Sequence, residues 1–411
     1  MNQPRLIVYS SLFPSRAAPT AGTFIRERMF RVARRVPIVV VAPQPWSPFD
    51  AFIRWFRPDF RPMAVGHEKM DGIDVYRPRW LSLPGIGKRF DGWLMALCTE
   101  ACVRRIHRRF HATALDAHFL YPDGWAATRI AQRLALPATI TIRGSKDEWL
   151  IGTSREKGLR EAMARATKLF AVSQALARNV AHALGVAPEK VMVIGNGVDA
   201  DRFAPVDRIE ARRRLGLGAD APVLIGVGNL IPSKGFQRVI ALLPRLRERH
   251  PGLIYLIVGG GATQGDLRSS LEAQARECGV ADAVRFCGRQ PQDELRWFYG
   301  AADVFVLATE FEGWANVFLE AMACGLPVVT TRVGGNAEVV REPDTGELVD
   351  WWDADAFADA IERALTRNWD RAAILAYARS QAWDERVERL VAEFARLTAS
   401  DEATMLAVAR S

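Results

Sequence analysis

Residues 310–327 read EFEGWANVFLEAMACGLP and carry the clearest structural signal in the chain. An apolar run at residues 303–307 precedes it, and a second apolar run at 328–331 follows it. The two runs predict buried strands of a parallel sheet, and the stretch between them predicts a helix that begins near residues 315–316. Gly325 stands where a glycine commonly ends a helix. A strand–helix–strand unit is therefore expected here.

The start of that helix is a predicted anion-binding site between two acids. Unpaired backbone N–H groups and the partial positive charge of a helix N-terminus favour an anion such as a diphosphate. Glu312 precedes the helix, and Glu320 lies about one turn inside it. Carboxylates on both sides of an anion site suit a ligand with hydroxyl groups at each end, such as a sugar joined to a ribonucleotide by phosphates.

The acidic pair, with seven residues between Glu312 and Glu320, resembles that of the retaining glycosyltransferases of family four. The surrounding EGWANV is similar to bacterial enzymes of capsule, exopolysaccharide or teichuronic-acid synthesis. Further motifs match in chain order from about residue 6 to residue 350: SLFP at 11–14 with GTF at 22–24, His118 with YPDG at 121–124, VIGNGVD at 193–199, VGNL at 227–230 with KG at 234–235, and GG at 334–335. The resemblance implies an α/β protein of the GT-B fold, with two Rossmann-like domains that face each other across a cleft.

The resemblance also implies roles for individual residues. Lys234 and the helix start would hold the diphosphate, Glu320 the ribose hydroxyls and Glu312 the donor sugar, while His118 would position the sugar or the acceptor. The catalytic set is then His118, Glu312 and Lys234, and the acceptor side is His118 and Arg143. The donor-binding set comprises Gly22, Asn229, Lys234, Arg289, Glu312, Gly313, Trp314, Ala315, Asn316, Val317 and Glu320.

Simpler interpretations of three of these residues stay open at this point. Lys234 could be a solvated surface lysine, His118 a buried histidine bonded to a backbone carbonyl, and Gly22 an ordinary turn glycine. The chain also departs from the family pattern. Asn229 stands where the family often has an arginine, and in the loop after Arg143 the expected acid comes one residue late, as Asp147.

The length and composition predict two domains. A chain of 411 residues that is 49% hydrophobic and 25% charged is an ordinary globular composition with room for two cores. The expected division is an acceptor-side domain at 1–200 and a nucleotide-sugar domain at 201–370, with a linker at 199–222. By the family resemblance, C-terminal helices at 371–411 would pack back toward the first domain and end in a loose tail. Predicted strands fall at 6–9, 38–42, 114–118, 138–142, 168–172 and 191–194, and then at 223–227, 254–258, 283–287, 304–307, 328–331 and 346–349.

No metal or cofactor is expected beyond a nucleotide-sugar co-substrate, taken to be UDP-linked. Two Asp-x-Asp triplets, at 199–201 and 353–355, fit a turn and a helix N-cap better than a metal site. The five cysteines are odd in number and show no CxxC spacing, which indicates neither a disulfide framework nor a zinc site. With no apolar run near ~20 residues, a cytoplasmic location is expected.

The charge is distributed unevenly along the chain. Residues 1–200 hold 30 Lys and Arg against 16 Asp and Glu, a net +14, whereas residues 201–411 hold 25 against 31, a net −6. Aromatic and basic residues alternate at 52–61, and four arginines follow at 104–109. These patterns predict either a solvated basic face or a surface that contacts the anionic inner face of the cytoplasmic membrane. Nucleic acid is not an expected partner, because no recognition motif accompanies the charge.

The family resemblance thus implies a retaining, metal-independent hexosyltransferase as the predicted function. It would move a hexose from a nucleotide sugar to a glycan or lipid-linked acceptor in bacterial surface polysaccharide synthesis. Two alternatives stay open: a sugar-nucleotide epimerase or glycan phosphorylase on the same fold, and a membrane-associated scaffold without activity.

Overall fold

The computed structural model describes residues 3–56, 60–83, 85–261, 265–351 and 353–408. The chain divides into two compact units, one formed by Met1–Asn196 with Asp384–Ser411 and the other by Gly197–Trp383. The second unit therefore begins before the predicted boundary at residue 201 and ends after the one at residue 370.

The first unit is built on an eight-stranded sheet with the order β10-β9-β8-β7-β1-β2-β5-β4. Its central strands are fully buried, which explains their continuous apolar sequences. The strands of the whole first unit are β1 Leu6–Tyr9, β2 Ile38–Val41, β3 Gln44–Trp46, β4 His67–Met70, β5 Ile73–Tyr76, β6 Arg79–Leu81, β7 Ala114–His118, β8 Ala138–Ile142, β9 Lys168–Ala171 and β10 Val191–Val193. Its helices before residue 197 are α1 Thr23–Val32, α2 Asp50–Phe56, α3 Asp91–Phe110, α4 Trp125–Arg133, α5 Ser145–Glu148, α6 Glu156–Arg165 and α7 Gln174–Leu184.

Four strands of this unit were not predicted from the sequence. β4 and β5 form an antiparallel hairpin at the edge of the sheet, and β3 pairs with β6 in a separate two-stranded sheet. The hairpin turns at Asp71 and Gly72, which have φ values of 49° and 82°. An Asp-Gly pair is a strong hairpin signal, but the alternating exposure of β4 produced no apolar run.

The second unit is a six-stranded, fully parallel sheet with the order β13-β12-β11-β14-β15-β16. Its strands are β11 Val223–Val227, β12 Ile254–Val258, β13 Val284–Gly288, β14 Val304–Leu307, β15 Val328–Thr331 and β16 Gly346–Val349. Its helices are α8 Arg208–Arg214, α9 Phe236–Arg249, α10 Arg268–Glu277, α11 Leu295–Ala301, α12 Asn316–Ala323, α13 Asn336–Val339, α14 Ala354–Thr366 and α15 Arg371–Ser380. The prediction of two doubly wound α/β sheets is confirmed, and among the described residues only the edge strand β4 of the first sheet pairs antiparallel.

The predicted linker at 199–222 is wrong, because this segment packs into the second unit. Phe203 lies in the hydrophobic core of that unit with 3% of its surface exposed. Arg212 in α8 is also buried; it donates to the carbonyl of Ala301 at 3.1 Å and pairs with Asp303 at 3.0 Å. The fold supplies backbone carbonyls and a carboxylate as partners for this buried guanidinium.

The C-terminal helices do not form one group. α15 belongs to the second unit, where Arg371 donates to the carbonyl of Gly325 at 3.0 Å. The last helix, α16 Trp383–Val408, belongs to the first unit from Asp384 onward. There the ring of Phe394 meets that of Phe170 edge-on at 5.7 Å. Among the described residues, no helix is both long and apolar enough to cross a membrane.

Candidate functional site

The candidate site of the second unit lies where the strand order reverses. β11 and β14 are neighbours in the sheet, although the chain leaves β11 toward β12 and leaves β14 toward β15. In open α/β sheets such a switch point opens a crevice for ligands at the carboxyl ends of the strands. The loop after β11 carries Lys234, and the loop after β14 carries Glu312.

A close backbone approach joins these two loops. Gly235 has a φ of 75°, and a Cβ atom there would lie 1.8 Å from the carbonyl oxygen of Ala308. The backbone N–H of Glu310 and the hydroxyl of Thr309 both donate to the carbonyl of Ser233, at 2.8 and 3.0 Å. Helix α9 begins at the next residue after Gly235. The glycine is therefore required for the turn and for the contact with the end of β14.

Lys234 and Glu312 form an ion pair at this junction, with the Lys234 Nζ on Glu312 Oε1. The side chains are 22% and 10% exposed. The backbone of Glu312 is held separately: Gly335 donates its N–H to the Glu312 carbonyl at 3.1 Å, and a Cβ atom on Gly334 would lie 1.8 Å from the same oxygen. The acid is thus fixed at both its backbone and its carboxylate.

Helix α12 begins at Asn316, in agreement with the predicted start, and Gly325 follows it with a φ of 78°. Gly313, Trp314, Asn316 and Val317 are half-buried around this start, and Ala315 is buried. In the second turn, Glu320 accepts a hydrogen bond of 3.0 Å from the hydroxyl of Tyr299. Burial, and then the nearby Glu320 carboxylate, raise the pKa of Tyr299 well above its usual value, so that hydroxyl stays a donor.

Asn229 and Arg289 lie at the same carboxyl edge of the sheet and are exposed. Arg289 follows β13, and its guanidinium donates to the carbonyl of Gly261. The neighbouring Gly260 accepts from the N–H of Leu230 at 3.0 Å, which links that turn to the loop of Asn229. The structure thus brings the predicted donor-side residues of the second unit to one edge.

The residues predicted for the acceptor side form a buried cluster in the first unit. His118 ends β7 and has no exposed surface. Its Nδ1 accepts from Arg143 Nε at 3.2 Å, so Nε2 carries the proton of the neutral ring and faces Asp116 at 3.6 Å. Arg143 also donates to Asn196 at 3.3 Å. The predicted contact of the His118 side chain with a substrate would require these partners to move, and it stays a prediction.

Two residues of this cluster escaped the sequence-based prediction, namely Arg28 and Asp116. Arg28 is fully buried and donates to the carbonyl of Ile194 at 3.2 Å. Burial lowers the pKa of Arg28 to about 10 and raises the pKa of Asp116 to about 6. Burial, reinforced by Arg143 and Arg28, lowers the pKa of His118 well below its usual value. An available signal was their place in apolar patterns, since Arg28 lies on the buried face of α1 with Ile25 and Met29, and Asp116 lies inside the buried strand β7.

Gly22 and Asp147 both shape loops of the first unit. Gly22 has a φ of 66° and precedes α1, and a Cβ atom on it would lie 2.2 Å from the carbonyl oxygen of Leu12. Close approach to the first loop therefore excludes a side chain. Asp147, the displaced acid after Arg143, is buried and accepts from the N–H of Leu120 at 2.8 Å, which is a structural role.

The Asp-x-Asp triplets have the local roles that the sequence indicated. Asp353 caps α14 by accepting from the N–H of Ala356, and Asp199 accepts from the N–H of Arg202 at 3.1 Å. Within the described ranges, no group of three or more His, Cys, Asp or Glu residues is arranged to hold a metal ion.

Comparisons with known proteins agree with this architecture. The family model "Glycosyltransferase Family 4" matches residues 21–202, and "Glycosyl transferases group 1" matches residues 207–381. The crystal structure of Anabaena Alr3699/HepE in complex with UDP superposes with a TM-score of 0.71 at 19% identity, covering 96% of this chain and all of that one. This likeness confirms the predicted fold of two Rossmann-like domains.

Curated relatives include two D-inositol 3-phosphate glycosyltransferases. The one from Actinosynnema mirum is 38% identical over 58% of this chain and 59% of its own length, so the match spans little more than half of that protein. The one from Geodermatophilus obscurus is 31% identical over 84% of this chain and 80% of its own. The narrower resemblance to capsule and exopolysaccharide enzymes stays a prediction. The extent of the second match, together with the two family models, shows that the chain belongs to the glycosyltransferases that combine a family 4 domain with a group 1 domain.

Proposed function

We propose that the protein is a hexosyltransferase that takes its sugar from a nucleotide diphosphate. The observation that carries this proposal is the ion pair of Lys234 and Glu312 at the switch point, next to the first turns of α9 and α12. Two helix N-termini and a lysine offer a diphosphate both backbone donors and positive charge. Glu312 would exchange its lysine partner for hydroxyl groups of the donor sugar, while Glu320, held by Tyr299, would accept from the ribose.

The proposed reaction breaks the bond between the anomeric carbon and the diphosphate, and the bonding electrons leave with the phosphate oxygen. Lys234 and the N–H groups at the start of α12 stabilise the charge that develops there. The acceptor hydroxyl bonds to the anomeric carbon on the face that the phosphate leaves, and its proton passes to the departing diphosphate. This retaining course and the absence of a metal requirement follow from family resemblance and are part of the proposal.

The donor is proposed to be UDP-linked, because crystal structures of the Anabaena protein hold UDP and UDP-glucose. The acceptor is proposed to be a glycan or lipid-linked sugar of bacterial surface polysaccharide synthesis, used at the inner face of the cytoplasmic membrane. A second candidate acceptor is a phosphorylated cyclitol, which the names of the curated relatives favour.

Nucleotide binding measured by calorimetry tests the site. Lys234→Ala and Glu320→Ala should each weaken UDP binding at least tenfold, about 1.4 kcal/mol. The matched controls Lys157→Ala and Glu277→Ala replace exposed residues outside the site and should bind like the wild type. Wild-type affinity in both site variants would refute the proposal, and no nucleotide binding by the wild type would favour the scaffold.

Product analysis separates the enzymatic alternatives. The purified protein is incubated with UDP- and GDP-sugars, with and without chelator, and with glycan, lipid-linked or inositol phosphate acceptors. A transferase gives a glycosylated acceptor and free nucleoside diphosphate. An epimerase changes the sugar nucleotide without an acceptor, and a phosphorylase forms sugar phosphate from glycan and inorganic phosphate. Loss of activity in chelator would overturn metal independence.

A further inference from the structure

The first unit has many more exposed large apolar side chains than the second unit. Of twelve such side chains among the described residues, ten belong to the first unit and two to the second. Eight of the ten fall in two short segments: Trp46 (40% exposed), Phe49 (58%), Phe52 (64%), Trp55 (82%) and Phe56 (71%), and then Phe90 (48%), Trp93 (50%) and Leu97 (56%). A concentration of this kind marks an interaction surface rather than ordinary exposure.

A buried polar network joins the starts of the two helices that carry these side chains. Arg61 donates to Asp50, the first residue of α2, at 3.2 Å and to the hydroxyl of Ser82 at 3.0 Å. Ser82 in turn donates to Asp91, the first residue of α3, at 3.3 Å, and Lys88 lies 3.2 Å from the same carboxylate. The helices that carry the two exposed apolar segments are therefore tied together at their N-termini.

This network also corrects the sequence-based picture of a basic surface. The Arg61 side chain is only 14% exposed because it is committed to Asp50 and Ser82. It therefore supports the surface from within instead of contributing charge to it.

The outward face of α3 changes from apolar to basic along the helix. Trp93, Leu97, Ala101 and Arg105 follow one another at four-residue intervals and are all exposed, so they lie on one face. Arg108 and Arg109 are exposed one turn further on. Arg104 pairs with Glu100, but within the described ranges no carboxylate lies within 4.0 Å of the other three arginines.

We propose that this face of the first unit docks on a bilayer that contains anionic lipids. The aromatic surface, defined as Phe52, Trp55, Phe56, Trp93 and Leu97, would insert among the headgroups, where tryptophan side chains are favoured. The basic end, defined as Arg105, Arg108 and Arg109, would contact lipid phosphates. The inference rests on the proposed function in one respect: docking presents the protein to a lipid-linked acceptor.

Vesicle co-sedimentation of the full chain tests the docking. The probes are phosphatidylcholine vesicles with and without phosphatidylglycerol. Trp55→Ser with Phe56→Ser should reduce binding to the anionic vesicles at least tenfold, whereas Ile209→Ser, an equally exposed apolar residue of the second unit, should not. Arg105→Glu with Arg108→Glu should reduce binding about fivefold per arginine and remove its salt dependence, whereas Arg276→Glu, an exposed arginine on α10, should not.

Two outcomes would overturn the inference. One is equal vesicle binding by the aromatic variant and the Ile209→Ser control. The other is a dimer in light scattering that the aromatic variant dissolves, with no vesicle binding by the wild type, because the surface would then join two copies of the chain. UDP binding is measured on every variant. If the wild type binds vesicles but not UDP, the proposed function fails while the docking surface stands.

Discussion

Replacing Glu312 by glutamine should tighten the binding of a nucleoside diphosphate while abolishing most sugar transfer. The charge of Lys234 is neutralised by the Glu312 carboxylate in the structure. A diphosphate must displace that carboxylate from the lysine and must also approach its negative charge. Glutamine keeps the shape of the side chain but removes the charge, so the lysine becomes available to the ligand.

The expected size of the effect follows from the exposure of the pair. A hydrogen bond between charged groups contributes roughly 1.5–3 kcal/mol, and exposed pairs contribute only about 0.2–1 kcal/mol. Because the lysine and glutamate side chains are 22% and 10% exposed, an intermediate value of about 1 kcal/mol is reasonable. The variant should then bind UDP about fivefold more tightly. Reduced repulsion of the phosphates acts in the same direction.

The donor sugar should respond in the opposite direction. If Glu312 accepts from its hydroxyl groups, the variant loses charged hydrogen bonds to the sugar and transfer should fall at least tenfold. Calorimetry with UDP and a transfer assay with the UDP-sugar are therefore compared on the same preparations.

The matched control is Glu310→Gln. In the wild type the Glu310 carboxylate lies 3.6 Å from Arg238 and does not pair with Lys234. The control should leave UDP affinity unchanged. The reasoning is refuted if Glu312→Gln weakens UDP binding as much as Lys234→Ala does, since the carboxylate would then support the nucleotide rather than compete with it.

Three further predictions concern the backbone at Gly235, the hydrogen bond from Tyr299 to Glu320, and the pH dependence of stability. Gly235→Ala should lower the melting temperature far more than Gly216→Ala. Both glycines have positive φ, but only a Cβ atom at Gly235 would meet a backbone oxygen, at 1.8 Å. Equal losses of melting temperature in calorimetry would contradict this prediction. Tyr299→Phe should weaken UDP binding about three- to tenfold, because the Glu320 carboxylate loses the hydroxyl that holds it. The loss should be smaller for 2′-deoxy-UDP. Unchanged affinity for UDP would count against a role of Glu320 in ribose binding. Asp116→Asn should make the first unit more sensitive to acid between about pH 6.5 and 4. As pH falls through this range, the raised pKa of Asp116, about 6, increases the stability of the wild type, whereas the lowered pKa of His118 decreases it. The variant keeps only the loss due to His118. Melting temperatures with the same pH dependence in the wild type and in Asp116→Asn would refute this balance.

The strands buried on both faces could be predicted from the sequence because burial requires apolar runs. β7, β8, β11 and β14 have the predicted bounds. The hairpin of β4 and β5 was missed because one face of an edge strand is solvated, and its alternating residues resemble a polar loop. Its Asp-Gly turn was a usable signal, since two consecutive residues with positive φ are common in two-residue hairpin turns.

The start of α12 and its flanking acids could also be predicted, because a helix N-terminus is a local feature of the chain. The contact between Lys234 and Glu312 could not, because it joins loops 78 residues apart and depends on the order of strands in the sheet. The burial of Arg28 was equally hidden. Arg28 shares the buried face of α1 with Ile25, Met29 and Val32, where helical spacing alone predicts an apolar residue, and only the folded structure supplies the carbonyl of Ile194 as its partner.

The ion pair of the second unit and the buried cluster of the first unit hold charge in different ways, and this difference determines what mutations there will measure. In the second unit the charged pair is half-buried, and its two partners could be exchanged for a ligand at modest cost. In the first unit Arg143, His118 and Asp116 are almost fully buried and contact one another. Removing one partner of a buried charge cluster costs about 3–5 kcal/mol. Variants of Lys234 or Glu312 should therefore report on ligand binding, whereas variants of Arg143 or His118 should first destabilise the fold and can be interpreted catalytically only alongside their melting temperatures.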